Sequence, residues 1–241
     1  MSVPILPSVP AFAKSDLLAD VPRFGPMETR DAELRGDLAR IHKQYGYAIG
    51  YYKAAIKAEP QNSVLYNKLG IAYLQYGDHK AARKSFNQAI KLNHGYVEAY
   101  NNLGAVDCID KKYNPAIKVL KKALALDETN ASAHLNMAES WMGLKQIDRA
   151  MTEYARALEL DADILSSTPD GVLIQVGTPE QRARVDYLIA KAYAKRGNIE
   201  GALEYLQRAK DNRFGDMAMV YQDPVFTQVW KDPRLQKIVK R

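Results

Sequence analysis

A single cysteine, Cys108, stands in 241 residues. No disulfide can close within the chain, and the fold must be held by burial alone. Histidine is almost as scarce. His42, His79, His94 and His134 never fall at metal-ligand spacings such as H-E-x-x-H, and Cys108 has no cysteine partner, so no metal site is indicated. The apolar runs are short and interrupted by charge, which excludes a membrane-spanning helix. Missing too are a G-x-S-x-G elbow, a Walker-type phosphate loop and a dinucleotide fingerprint. Gly177-Thr178-Pro179 is better explained as a helix start. These absences leave no constellation for catalysis and no cofactor to expect.

The residues that are present describe an ordinary folded protein, 47% hydrophobic and 26% charged. The net charge of +6 is unevenly spread: residues 63–96 hold five Lys or Arg against one Asp, whereas residues 131–164 hold three against six acidic residues. The densest basic cluster is Lys111, Lys112, Lys118, Lys121 and Lys122. Three of these fall at i, i+3, i+4 on one helix face without interleaved aromatics. That pattern favours a solvated surface over a nucleic-acid track. Residues 1–28 read as an extended leader, since Pro4, Pro7 and Pro10 break any helix there. Ala11-Phe12-Ala13 has the small-x-small form of an export cleavage site without the basic start that should precede it. The compartment stays open between cytoplasmic and periplasmic or secreted.

Shifting the sequence by 34 residues superposes four blocks, starting at Thr29, Ser63, Val97 and Ala131. The eighth place holds Gly36, Gly70, Gly104 and Ala138, and the twentieth Ala48, Ala82, Ala116 and Ala150. The twenty-fourth is large, with Tyr52, Phe86, Leu120 and Tyr154, and the twenty-seventh is alanine at 55, 89, 123 and 157. Small against large is a packing code, because closely crossing helices admit only Gly or Ala where their backbones approach. Each block therefore reads as helix A, a turn near Gly46, Gly77 or Asn114, and helix B. A fifth block starts at Ala183, after an insertion over 165–182 whose apolar Val172-Leu173-Ile174 is expected to fold back on the array. Thr178, Pro179 and Gln181 supply a cap, a first-turn proline and a capping-box partner. Asp223-Pro224 and Asp232-Pro233 each predict a short capping helix over 215–241.

These columns resemble the tetratricopeptide repeat, most closely in the second block with Tyr66, Leu69, Gly70, Tyr73, Ala82, Phe86 and Ala89. The third block has Asp107 where the family has tyrosine, and Arg35 replaces leucine in the first. The resemblance implies an all-α, right-handed α-solenoid of antiparallel helix pairs: four contiguous units over 29–164, a fifth over 183–214, and a C-terminal capping segment. It also implies a non-enzymatic adaptor whose concave groove takes a peptide or partner helix, lined by places two, five, six, nine, twelve and thirteen of helix A. Those places hold Asn67, Lys68 and Gln75, then Asn101 and Asn102, then Asn136 and Glu139. Asn102 and Asn136 share place six, where an amide can both donate to and accept from a peptide backbone. Relatives that clamp the acidic tails of heat-shock chaperones need Lys and Asn where this chain has Glu33 and Asp37, so no such binding is expected. Tyr47 and Tyr51 mark the amino-terminal half as part of a contact surface, and self-assembly through convex faces or the insertion is the rival reading.

Overall fold

The computed structural model describes residues 28–164 and 178–240. The leader and the Val172-Leu173-Ile174 run fall outside them. Among the described residues all regular structure is helical, as paired antiparallel helices in chain order. They fall into two compact units, one up to His94 and one from Gly95 on. In the first, α1 (Thr29–Ile41) pairs with α2 (Tyr45–Ala58), α3 (Ser63–Tyr76) pairs with α4 (His79–Leu92), and α2 packs on α3. The second pairs α5 (Val97–Ile109) with α6 (Tyr113–Leu126), α7 (Ala131–Gly143) with α8 (Ile147–Leu160), and α9 (Pro179–Lys195) with α10 (Ile199–Asp211). Within it α5 also lies beside α7. This is an α-solenoid architecture of stacked helix pairs.

The helices start where side chains can satisfy their free N–H groups. Asn62, Asp78, Asn130 and Asn198 each accept from the first turn of α3, α4, α7 and α10. Thr178 and Gln181 form a reciprocal capping box at α9, with Pro179 in the first turn. That cap lets α9 begin ahead of Ala183.

The turns between paired helices lie beside Gly46, Gly77 and Asn114, since Gly46 and Asn114 are second in α2 and α6 and Gly77 ends α3. The left-handed residue is at place fifteen: Lys43 (φ 58°), Gly77 (89°), Lys111 (59°), Lys145 (59°) and Gly197 (75°). The following amide returns to helix A each time, as in Asp78 N to Tyr73 O at 2.9 Å and Lys112 N to Asp107 O at 2.7 Å. Three lysines thus hold a backbone conformation that costs a residue with a Cβ about 1 kcal/mol. Lys111→Gly is expected to raise stability by about 0.5–1 kcal/mol, and Gly77→Ala to lower it by at least as much. Urea midpoints of the two variants test this, and a loss in Lys111→Gly would contradict it.

Inside each pair the small and large columns meet. A Cβ built on Gly36 would lie 2.6 Å from Tyr52 Cε1, one on Gly104 would lie 2.5 Å from Leu120 Cγ, and one on Gly70 would strike the Phe86 ring. The alanines at places twenty and twenty-seven are fully buried in every block.

The C-terminal segment closes over α9 and α10 with Phe226, Val229, Leu235 and Ile238 buried beside Tyr187 and Leu206. Asp223 and Asp232 cap as expected. The stretch after Asp223 is not the helix predicted from its spacing, however. It forms 3-10 turns over Pro224–Phe226 and Val229–Lys231, and only Pro233–Val239 (α11) is α-helical. Val225, Thr227 and Val229 are β-branched, and Trp230 Nε1 donates to Val220 O at 2.8 Å, which holds the segment in a bend.

Candidate functional site

In the first unit, helix A residues build an ion cluster. Lys68 Nζ lies 2.6 Å from Asp37 Oδ2 and 2.7 Å from Glu33 Oε1, while Tyr52 OH donates to Asp37 Oδ1 at 2.7 Å. Burial works against the Lys68 charge, but hydrogen bonds to Asp37 and Glu33 outweigh it and raise its pKa. Lys68 is thus held within the chain by the two carboxylates that displace the family's clamp residues. Asn67 is buried, and Gln75 is exposed one helical face away.

The second unit brings its asparagines together in a different pairing from the shared place six. Asn136 Nδ2 donates to Asn101 Oδ1 at 2.9 Å, joining α7 to α5, with Asn102 half-buried on the next position. One turn on from Asn136 lies Glu139, only 7% exposed, whose Oε1 accepts from Tyr154 OH of α8 at 3.1 Å. Desolvation pushes the Glu139 carboxyl up to about 7, with the Tyr154 hydrogen bond acting against it. Cys108 is buried against this cluster, and burial lifts its thiol to about 11, which leaves it a small core side chain and no nucleophile at neutral pH. Along α5 and α7 stand the carboxylates of Glu98, Asp107 and Glu139 and not one Lys or Arg. The lysines at 118, 121 and 122 lie on the exposed side of α6 instead.

Comparison with known proteins agrees with the fold of paired helices. Profiles of the family described as tetratricopeptide repeat match residues 51–84, 109–166 and 184–213, and a TPR repeat profile matches 72–106. The chain is a tetratricopeptide-repeat protein. It is 26% identical over 167 residues to the RNA polymerase II-associated protein 3 of Homo sapiens, covering 68% of this chain and 24% of that one. It is 30% identical over 142 residues to the heat shock protein STI1 of Saccharomyces cerevisiae, covering 58% and 23%. The repeat protein spans well under half the length of these curated relatives. In fold it is similar to a MamA protein (TM-score 0.54, 22% identity, 81% of this chain and 95% of that one). It is also similar to a thermophilic TPR protein of Thermus thermophilus, TTC0263 (0.54, 19%, 80% and 96%).

The sequence pattern pointed to helix A but not to the paired tyrosine and carboxylate at places twenty-four and nine, Tyr52 with Asp37 and Tyr154 with Glu139. The signal was available, since both carboxylates lie fifteen residues before their tyrosine. Tyr47 is exposed and Tyr51 half-buried beside Arg35. Among the described residues no group of three His, Cys, Asp or Glu could hold a metal ion, and no helix is long and apolar enough to cross a membrane.

Proposed function

We propose that this tetratricopeptide-repeat protein is an interaction adaptor that holds an extended segment of a partner protein along α5 and α7 of its second unit. Asn101, Asn102 and Asn136 read the partner's backbone there. The observation that carries this reading is the Asn136–Asn101 amide pair, which lines up side-chain donors and acceptors across two neighbouring helices. In the first unit Asn67, Lys68 and Gln75 belong to the same set of groove places, with the Lys68 charge already met by Glu33 and Asp37. Family membership and relatives such as the heat shock protein STI1 support an adaptor role. The test is selection from a displayed peptide library on the full chain, repeated with Asn102→Ala plus Asn136→Ala after both proteins are shown equally helical. Loss of about tenfold or more in affinity for the selected peptides is expected, from two or more hydrogen bonds at about 1 kcal/mol each. Equal retention by both proteins would move binding to another face.

An acidic chaperone-tail peptide is expected to bind no tighter than millimolar, because Lys68 is neutralised and α5 and α7 offer no cation. Micromolar binding in calorimetry would overturn that.

Self-association is the second reading, and one observation favours it. Leu34, Leu38 and Ile41 form an exposed stripe on α1, and Leu38 occupies the place at which Ala72, Val106 and Ser140 are buried. Light scattering across a concentration series separates the two readings.

A further inference from the structure

The two tyrosine–carboxylate pairs are the same device in two settings. Asp37 and Glu139 both occupy place nine of helix A, and Tyr52 and Tyr154 both reach them from place twenty-four of helix B. In the first unit the carboxylate's other oxygen takes an ammonium, Lys68 Nζ at 2.6 Å from Asp37 Oδ2, supplied by place six of the next helix A. In the second unit the residue at that place is Leu188, which brings no charge. Glu139 uses one oxygen for Tyr154 and makes no second hydrogen bond among the described residues. Residues 165–177 contain no Lys or Arg, so the chain's own insertion has no cation to offer.

We propose that Glu139 is the docking point for a lysine or arginine side chain of the bound partner segment, so that the α5–α7 face selects a basic peptide. This rests on the groove reading above and adds the class of partner. A carboxylate nine-tenths buried gains more from an incoming ammonium or guanidinium than an exposed one, because water screens the pair less. The cations that the framing helices bring are engaged elsewhere: Arg149 of α8 lies 4.8 Å from the centroid of the Trp141 ring, and His134 of α7 is paired with Glu153 at 2.7 Å. Its titratable neighbours are Tyr154 from α8 and Cys108 from α5, while α6, also packed on α7, turns Lys118, Lys121 and Lys122 to solvent. Asn136 and Asn101 lie one turn away, within reach of the backbone that would carry such a side chain. Arginine, with its planar fork of donors, can engage the free oxygen and a neighbouring acceptor together, so it should be preferred to lysine.

The experiment is a positional-scanning library of uncharged decapeptides in which each position in turn carries Arg, Lys, Gln or Glu, applied to the wild type, Glu139→Gln, and Asn102→Ala plus Asn136→Ala. The expected result is enrichment of Arg and Lys at one position on the wild type, falling at least tenfold on Glu139→Gln while uncharged peptides are retained. Binding of the enriched basic peptide should also strengthen from pH 6 to pH 8 on the wild type and stay flat on the Gln variant. A wild type that binds peptides without preferring a cation, or a Gln variant that keeps the preference, overturns this inference and leaves the groove standing. Peptides retained equally by the double Asn variant, or no enrichment of any peptide, overturn the groove and the inference together.

Discussion

Phe86→Ala will cost the folded chain about 3–5 kcal/mol, the range for removing a buried aromatic ring. Phe86 is fully buried, and its ring sits against Gly70, the second-block member of the small column. No side chain can move in to replace it, because a glycine faces it across the crossing and the residues one turn away on its own helix are the fully buried Ala82 and Ala89. The opposite change, Gly70→Ala, adds a methyl into the ring and should cost about 1–3 kcal/mol through overpacking. The fourth and fifth blocks show why that second cost is the smaller one: Ala138 stands beside Tyr154 and Ala190 opposite Leu206, all buried, so the column admits a methyl when the partner shifts. Urea unfolding followed by helical circular dichroism measures both. A Phe86→Ala loss under about 1 kcal/mol would mean that the two columns do not carry the pair.

The second large effect is a change of stability with pH that one substitution removes. The Glu139 carboxyl has its folded pKa raised to about 7 from 4.5 by desolvation. Below 4.5 the acid is neutral in both folded and unfolded chains and burial is tolerated. Between 4.5 and 7 the unfolded chain releases the proton while the folded chain keeps it, so stability falls as pH rises through that window. Above about 7 the loss is complete and amounts to about 3 kcal/mol. Gln at this position keeps an oxygen for Tyr154 and carries no charge at any pH. Glu139→Gln should therefore match the wild type near pH 4 and exceed it by about 3 kcal/mol at pH 8. Parallel stability curves for the two proteins between pH 4 and pH 8 would sink the claim that Glu139 is held neutral by burial. The same measurement bears on function, since a buried carboxylate that destabilises the free protein at neutral pH is a group a cationic partner can relieve.

How far these features could be read in advance depends on the distance over which each is decided. The pairing of places eight and twenty-four needed only the 34-residue shift and the volumes of Gly, Ala, Tyr, Phe and Leu, because both members belong to one helix pair. The caps at Asn62, Asp78, Thr178, Asp223 and Asp232 are settled within three residues of chain. The turns were legible near Gly46, Gly77 and Asn114, but the left-handed residue in each was not. Lys43, Lys111 and Lys145 have no preference for a left-handed backbone, and only the register shared with Gly77 and Gly197 identifies their conformation.

The helix pairs, their order and the small-and-large columns are written in the residue order, since they follow from side-chain volume and spacing along a single helix pair. Which polar groups of helix A meet is settled between repeats, in the folded chain. Asn136 finds Asn101 and not Asn102, and Lys68 is taken by Glu33 and Asp37, each contact joining one helix A to the next. Those outcomes depend on the azimuth at which one repeat is set against the next. A rotation of a single residue position, about 100° on a helix, exchanges one candidate for its neighbour, and the residue pattern leaves that angle to packing.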